Sequence, residues 1–360
     1  MGKIVVEQYL FCDTFEAAKR ISKAFENFKF KFYSLGRNSS VYAKRYIQKN
    51  SLSKYSPYKV IVKYSIEYDG EFAEYGYLDM RTQLKYPELI DKLSIDDVYK
   101  KIDILHEYQC MEDNICRDIY YYKDFEEFFN DELKPYMNRI YMACVIAFAN
   151  VYRGDCFAIH YTEKNKNYER GYFANNSHDA ICIDKYYPEM DMKPMAVSTV
   201  WNWMRKYHKY KKDRLTSEAR PLTALTYALN RSNFERTFYS VVGLESIFTK
   251  DEKRVRKQLK ETISKVFTNV TENDIDLLYN KRSDFAHGDI IFPNYYENSK
   301  NTHHWSDITD AAQKSTSILI MAIRVLVEND AIKIFIDAKG DLVFEKHKIM
   351  YWGSYVCRLK

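Results

Sequence analysis

Apolar and polar positions change period along the chain, and the changes mark out three regions. In residues 1–80, Ile4–Phe11 reads as a first strand. Asp13 and Thr14 then offer an N-cap to a helix with the stripe Phe15, Ala18, Ile21, Phe25 and Phe28. Phe28, Phe30 and Phe32 alternate with Lys29 and Lys31, and Tyr58, Val60, Val62, Tyr64, Ile66 and Tyr68 alternate likewise. Period two with one wet face predicts strands of a half-buried sheet. Asp69-Gly70 is a favoured two-residue hairpin turn, so Glu71–Leu78 is expected to return antiparallel. From Pro87 the pattern turns helical over Leu89–His106 and Phe125–Val151, with Pro135 kinking or dividing the second segment. Short strands at Cys156–Tyr161 and Ala180–Ile183 flank a charged, Asn-rich stretch, Glu163–Arg170.

From Ala196 to about residue 330 the pattern is almost wholly helical. Pro221–Thr249 carries a long apolar face of Leu225, Leu229, Phe234, Phe238, Val241, Val242 and Phe248. Val255, Leu259, Ile263 and Phe267 line a second helix, and Asp307–Val327 a last long one. Between them Ile275, Leu278, Tyr279, Arg282 and Ala286 recur at helical spacing until Gly288, which tolerates the left-handed conformation that ends a helix. Ile332, Ile334 and Ile336, a Lys339-Gly340 turn and Leu342–Phe344 predict a closing hairpin. The expected class is α+β: a mixed α/β domain over 1–190, a helical bundle over 196–330, and a hairpin or tail over 331–360.

Composition narrows the setting more than the chemistry. A hydrophobic fraction of 46% with 29% charged residues is that of a soluble globular protein. The net charge of +5 permits a polyanionic partner without requiring one. The seven cysteines (Cys12, Cys110, Cys116, Cys144, Cys156, Cys182, Cys357) contain no Cys-x2-Cys pair, which argues against a zinc site or a disulfide framework and for a reducing, cytoplasmic location. No signal-peptide pattern is visible, and the longest apolar runs, near 140–151 and 318–327, are too short to span a bilayer. Residues 1–190 carry no P-loop, dinucleotide fingerprint or His-Glu-x-x-His, so what they do is not legible.

The candidate chemistry centres on Tyr279–Gly288. Arg282 sits inside an apolar stripe, where a guanidinium needs an anion. Arg282 and His287 are separated by about 140° around the helix and about 7.5 Å along it, so both can reach a phosphate past the helix end. Alternatively they are a surface arginine and a helix-capping histidine. Glu245 also falls on an apolar face and is the expected partner of Arg282, either orienting it for catalysis or forming a purely structural ion pair. Two basic runs offer RNA contacts: Arg205, Lys206, Lys209, Lys211 and Lys212, interleaved with Tyr207 and Tyr210 and just after Trp201 and Trp203, and Lys253, Arg254 and Lys257. Each reads equally as a solvated face. His303 and His304 lie in an expected loop.

The ordered set Thr226-Tyr-Ala-Leu, Phe238, Gly243-Leu-Glu-Ser-Ile-Phe248, a basic helix, then Leu278-Tyr279, Arg282-Ser and His287-Gly288 resembles the ApeA-like branch of the HEPN superfamily over about residues 196–330. The resemblance implies an up-and-down helical bundle that homodimerises and carries Arg282 and His287 as the Arg-x4-His ribonuclease signature. It implies metal- and cofactor-independent cleavage of RNA in antiphage defence or toxin-type growth arrest. The RNA would be single-stranded or structured, with tRNA among the candidates, and an antitoxin or trigger protein is a candidate partner. The position after the arginine, often Asn, Asp or His in active members, is Ser283, with Asp284 next; both are candidate site residues. A second class of function is a non-catalytic HEPN module that binds RNA, a nucleotide or a protein. A third makes residues 1–190 the active part.

Overall fold

The computed structural model describes residues 2–34, 37–51, 56–68, 125–149, 156–163, 166–174, 183–187, 193–208, 220–231, 233–251, 253–289 and 302–346. The Asp69-Gly70 hairpin, the Leu89–His106 helix, Lys209, Lys211 and Lys212 lie outside the described residues. The class is α+β: antiparallel strands in the first half, helices in the second, and a short hairpin after them.

The sheet has six strands, β1 (Gly2–Cys12), β2 (Lys29–Ser34), β3 (Arg37–Lys49), β4 (Tyr58–Tyr68), β5 (Cys156–Glu163) and β6 (Lys166–Phe173). Their order across the sheet is β2-β3-β4-β1-β5-β6, with every neighbour antiparallel. Alternation in β1 places Ile4, Val6, Gln8, Leu10 and Cys12 inside. Buried Gln8 is satisfied there, accepting from the Tyr64 hydroxyl at 2.9 Å. β3 and β6 are strands that the hydrophobic pattern does not announce. β6 falls in the stretch marked only by charge and Asn, because an edge strand buries too little for its alternation to be apolar.

Helix α1 (Phe15–Ala24) opens on Thr14, whose hydroxyl accepts from the Ala17 amide at 3.1 Å. Phe15, expected in its buried stripe, lies instead on the surface beside Tyr58. Phe28 follows the helix, after Asn27 at φ 58°, and joins the sheet core. The predicted break at Pro135 takes the form of α2 (Phe125–Phe128), a π-helical turn (Phe129–Leu133) and α3 (Lys134–Phe148). Proline lacks an N–H and crowds the carbonyl four residues back, and the widened turn relieves both. Ile183, expected to end a strand, opens the short helix α4 (Ile183–Tyr186).

The helical part comprises α5 (Val197–His208), α6 (Arg220–Leu229), α7 (Asn233–Phe248), α8 (Val255–Val266), α9 (Glu272–His287) and α10 (Thr302–Glu328). The long apolar face over Pro221–Thr249 is carried by two helices, with a break at Asn230–Arg231. α7 is the axis of the packing, touching α6, α8, α9 and α10. A Cβ on Gly243 would lie 2.8 Å from Leu319 and 3.0 Å from Ala224, so glycine is what lets α7 approach α6 and α10 so closely. The hairpin of β7 (Ala331–Ile336) and β8 (Leu342–Lys346) closes against α7, α8 and α10.

The core runs continuously from the sheet into the helices. Trp201 of α5 lies 5.8 Å from Phe28 and 5.5 Å from Phe30, ring to ring. Arg324 of α10 is buried and donates to the carbonyls of Ile146 at 2.8 Å, Ala147 at 2.7 Å and Lys193 at 2.5 Å. Those first two carbonyls end α3, where a helix has no partners of its own for them.

Candidate functional site

α9 is fixed at both ends by local chemistry. Thr271 and Asp274 form a capping box at its start, and Lys314 of α10 holds the Asp274 carboxylate at 2.7 Å. Burial would raise the Asp274 pKa, but the bonds from Lys314 and Thr271 outweigh it and hold the carboxyl below its ordinary value. At the far end Gly288 takes φ 77°, and the amides of Asp289 and Gly288 close on the carbonyls of Asp284 and Phe285. That pairing is a Schellman closure, and it stops the helix with His287 in its last turn, as the glycine predicts.

Within that frame Arg282 and Glu245 meet across α9 and α7. Arg282 Nη2 lies 3.5 Å from Glu245 Oε2, and the Arg282 side chain is 27% exposed. The guanidinium also lies 5.7 Å from the Phe238 ring and 5.9 Å from that of Tyr279. Its Nε is shielded from solvent with no hydrogen-bond partner among the described residues. Burial pushes the Glu245 carboxyl above its ordinary 4.5, and the attraction of Arg282 pulls it back only in part. The niche therefore holds a cation whose donors are not used up.

His287 is exposed, and no hydrogen bond or ion pair joins it to Arg282 or Glu245. Arg282 turns toward α7 and back along its own helix, as helical side chains do, rather than past the helix end. The expected convergence of the two on one phosphate is thus not made by contacts within a single chain. Ser283 and Asp284 are half-buried beside them, and neither is bonded to Arg282 or His287. His303 and His304 belong to the first turn of α10 rather than to a loop.

Beside the niche is an open groove of about 650 Å3, lined by Arg254, Val255, Arg256, Lys257, Lys260 and Tyr279. Tyr279 joins the two features, since Arg256 stands 5.7 Å from the ring that Arg282 also approaches. Arg256 Nη2 and Lys260 both pair with Asp276, the former at 2.6 Å. Lys257 faces Glu261 at 3.5 Å, both exposed. Arg254 precedes α8 at φ 52°, with no side-chain cap on the helix start. Gln258 holds that basic turn in place, accepting from the Lys250 amide at 2.7 Å and donating to Asp251 and Lys253. Lys253 is exposed at the rim of this turn.

Of the sequence candidates, the structure brings Arg282 to Glu245 and places Arg254 and Lys257 in the groove. Arg205 is exposed on α5, away from these contacts, and Lys206 follows it on the same helix. Trp201 and Trp203 are both buried, Trp203 donating to the Ala331 carbonyl at 3.0 Å, so they add no stacking surface to the basic run. Sequence reasoning missed Arg256, Lys260 and the shared role of Tyr279. The signal was present for two of them: Arg256 lies in the basic run, and Tyr279 is three residues before Arg282, on the same helix face. Among the described residues no cluster of His, Cys, Asp or Glu is arranged to hold a metal, and no helix is long and apolar enough to cross a membrane. Comparison of the chain with protein-family models, curated proteins and solved structures finds no match.

Proposed function

We propose that the chain is a metal-independent endoribonuclease of the HEPN type, acting as a homodimer in antiphage defence or toxin-like growth arrest. The observation that supports it is the Arg282 niche: a half-buried guanidinium with spare donors, beside a basic groove and on the helix that ends in an exposed histidine. In the reaction a base takes the proton of a ribose 2′-hydroxyl, the oxygen attacks its own phosphodiester, and the bond to the 5′-oxygen breaks as that oxygen gains a proton. The products are a 2′,3′-cyclic phosphate and a 5′-hydroxyl. His287 moves the proton, its exposure leaving it open to substrate. Arg282 neutralises charge on the phosphoryl oxygens with its planar fork. Because the two side chains share no contact in one chain, two-fold pairing of bundles would bring the Arg282 of one protomer toward the His287 of the other.

A second reading, a non-catalytic module that binds RNA, is favoured by one observation. The groove is complete without His287. End-group analysis separates the two: labelled RNA incubated with the protein and a chelator should give fragments with cyclic phosphate ends. Intact RNA, bound but uncut, would leave only the binding module.

A further inference from the structure

The inner face of the six-stranded sheet is spent on the core, and among the described residues no helix packs across its outer face. The registers place one residue from each of five strands on a single transverse row of that face. Tyr46 of β3 faces Ile61 of β4, Ile61 faces Tyr9 of β1, Tyr9 faces Cys156 of β5, and Cys156 faces Phe173 of β6. Tyr46 is 49% exposed and Phe173 62%. Strands lie about 4.8 Å apart, so the three rings stand roughly 10 Å apart, one on every second strand. Lysines flank the row on both sides. Lys44 and Lys63 lie opposite each other on one side, and Lys59 of β4 on the other.

The charges of this face lean positive: Lys44, Lys59 and Lys63 stand among the rings, against Glu7, which Lys63 meets, and exposed Glu169 of β6, which faces His160 of β5. Lys59 stands 5.3 Å from the Tyr9 ring and Lys63 5.7 Å from the Tyr46 ring, so the cations are stacked among the aromatics. Lys63 also pairs with Glu7, which accepts from the Tyr9 hydroxyl at 2.8 Å and so fixes that ring. Lys44 and Lys59 have no carboxylate partner among the described residues. Gly171 leaves open space beside Phe173, where a Cβ would meet nothing within 4 Å. Two exposed rings with half-buried Tyr9 between them form a strip that flat, apolar groups can cover, and the neighbouring cations favour a cover that carries negative charge. Nucleobases on a phosphate backbone meet both demands.

We propose that this face binds single-stranded RNA, with bases stacked on Tyr46, Tyr9 and Phe173 and phosphates on Lys44, Lys59 and Lys63. The choice of RNA among single strands rests on the ribonuclease reading above; the platform itself is separate from the Arg282 niche. It would hold a strand while the helical half acts elsewhere on it.

The test uses the full chain and a fluorescent 2′-O-methyl RNA of about six unstructured nucleotides, within the range one such platform covers. Lacking a free 2′-hydroxyl, this probe is bound without being cut. Affinity should fall about tenfold for Tyr46→Ala and again for Phe173→Ala, with circular dichroism unchanged. The slope of log affinity against log salt should be about −2, for three phosphate contacts, and should shrink with Lys44→Ala. Ultraviolet crosslinks should map to peptides of β3 and β6. Unchanged affinity in the ring variants, crosslinks confined to α8 and α9, or tighter binding of a duplex of equal length would overturn the proposal. A wild type that binds this probe but leaves unmodified RNA intact would fail the nuclease reading and keep this one.

Discussion

Arg282 and Glu245 meet across two helices at 3.5 Å, close enough to attract and too far for a good hydrogen bond. Such a pair restrains the guanidinium without saturating it. The energetic sign of the contact is carried by Glu245, whose carboxyl is pushed up by burial more than Arg282 pulls it down. The folded chain therefore binds this proton more tightly than the unfolded chain does. Its contribution is fully stabilising below the ordinary carboxyl value and is lost as pH rises through the raised one.

Replacing the carboxylate exposes that dependence. The denaturation midpoint of the wild type should fall relative to that of Glu245→Gln as pH is raised from about 4 to about 7. Asp274 and Asp276, held below their ordinary values by their cation and hydroxyl partners, contribute oppositely but equally in both proteins and cancel. A midpoint difference that stays flat would mean that the attraction of Arg282 balances desolvation, and one that reverses would mean that it outweighs it.

The two signature residues should separate in kinetics. His287 is exposed and bonded to nothing among the described residues, so His287→Ala should change stability by no more than about 0.5 kcal/mol. Cleavage should nevertheless fall at least about a hundredfold. Arg282→Lys keeps the charge but loses the planar fork, and a loss of similar size is expected in kcat rather than in KM. Single-turnover cleavage of labelled RNA, with thermal unfolding of the same samples, checks both.

Much of this was legible because it is local. The Gly288 stop, the Thr14 cap and the alternation of Phe30 and Phe32 follow from residues within one turn or one strand. The Arg282–Glu245 contact was legible for a different reason: two charges on apolar faces each need a partner, and each is the obvious one for the other. Strands β3 and β6 were not, since their polar sides outnumber their buried ones and pairing alone makes them strands. The role of Tyr279 needs the approach of α8 to α9, which no short pattern encodes. Nor could spacing reveal that Arg282 turns toward α7, because the helical period gives an angle and not a rotamer.

Gly243 offers a test of the packing that sets this geometry. In an exposed helix, alanine would be better than glycine by about 1 kcal/mol. Here the new methyl would meet both branches of Leu319, at 2.8 and 3.0 Å, and the Ala224 methyl at 3.0 Å. Leu319 is wholly buried and has little room to swing away. Overpacking should win, and Gly243→Ala should destabilise by about 1–3 kcal/mol, read from urea unfolding. Because Glu245 lies two residues on, cleavage should fall as well.

Arg324 ties the helical half to the sheet half. Arg324→Met keeps most of the volume but strips three carbonyls of their donor, the two at the end of α3 in buried bonds. A loss of about 3 kcal/mol is expected, since hydrogen bonds from a charged group are among the stronger ones. Ala147 retains the Met195 amide at 2.9 Å and Lys193 is exposed to water, so Ile146 carries the larger part. Amide exchange should quicken at the end of α3 and before α5 more than in α7.

The groove should show its function through salt. Arg256 and Lys260 share Asp276, so much of their charge is already met, and substituting either removes an ion pair as well as a cation. Arg254 is exposed without a carboxylate partner among the described residues. Lys257 has only the exposed Glu261, a contact of little worth in water. These two are the cations free to meet a phosphate. Arg254→Ala and Lys257→Ala should each reduce the salt slope of RNA binding by about 0.7, the value for one contact to a single strand. Tyr279→Leu should cost cleavage more than binding, because its ring positions Arg282 as well as Arg256. Adding Tyr46→Ala should give a simple sum of effects, as the sheet row and the groove share no residue. A slope that stays constant through both cation variants would remove the groove from the path of the RNA, and with it the reason for placing a strand next to Arg282.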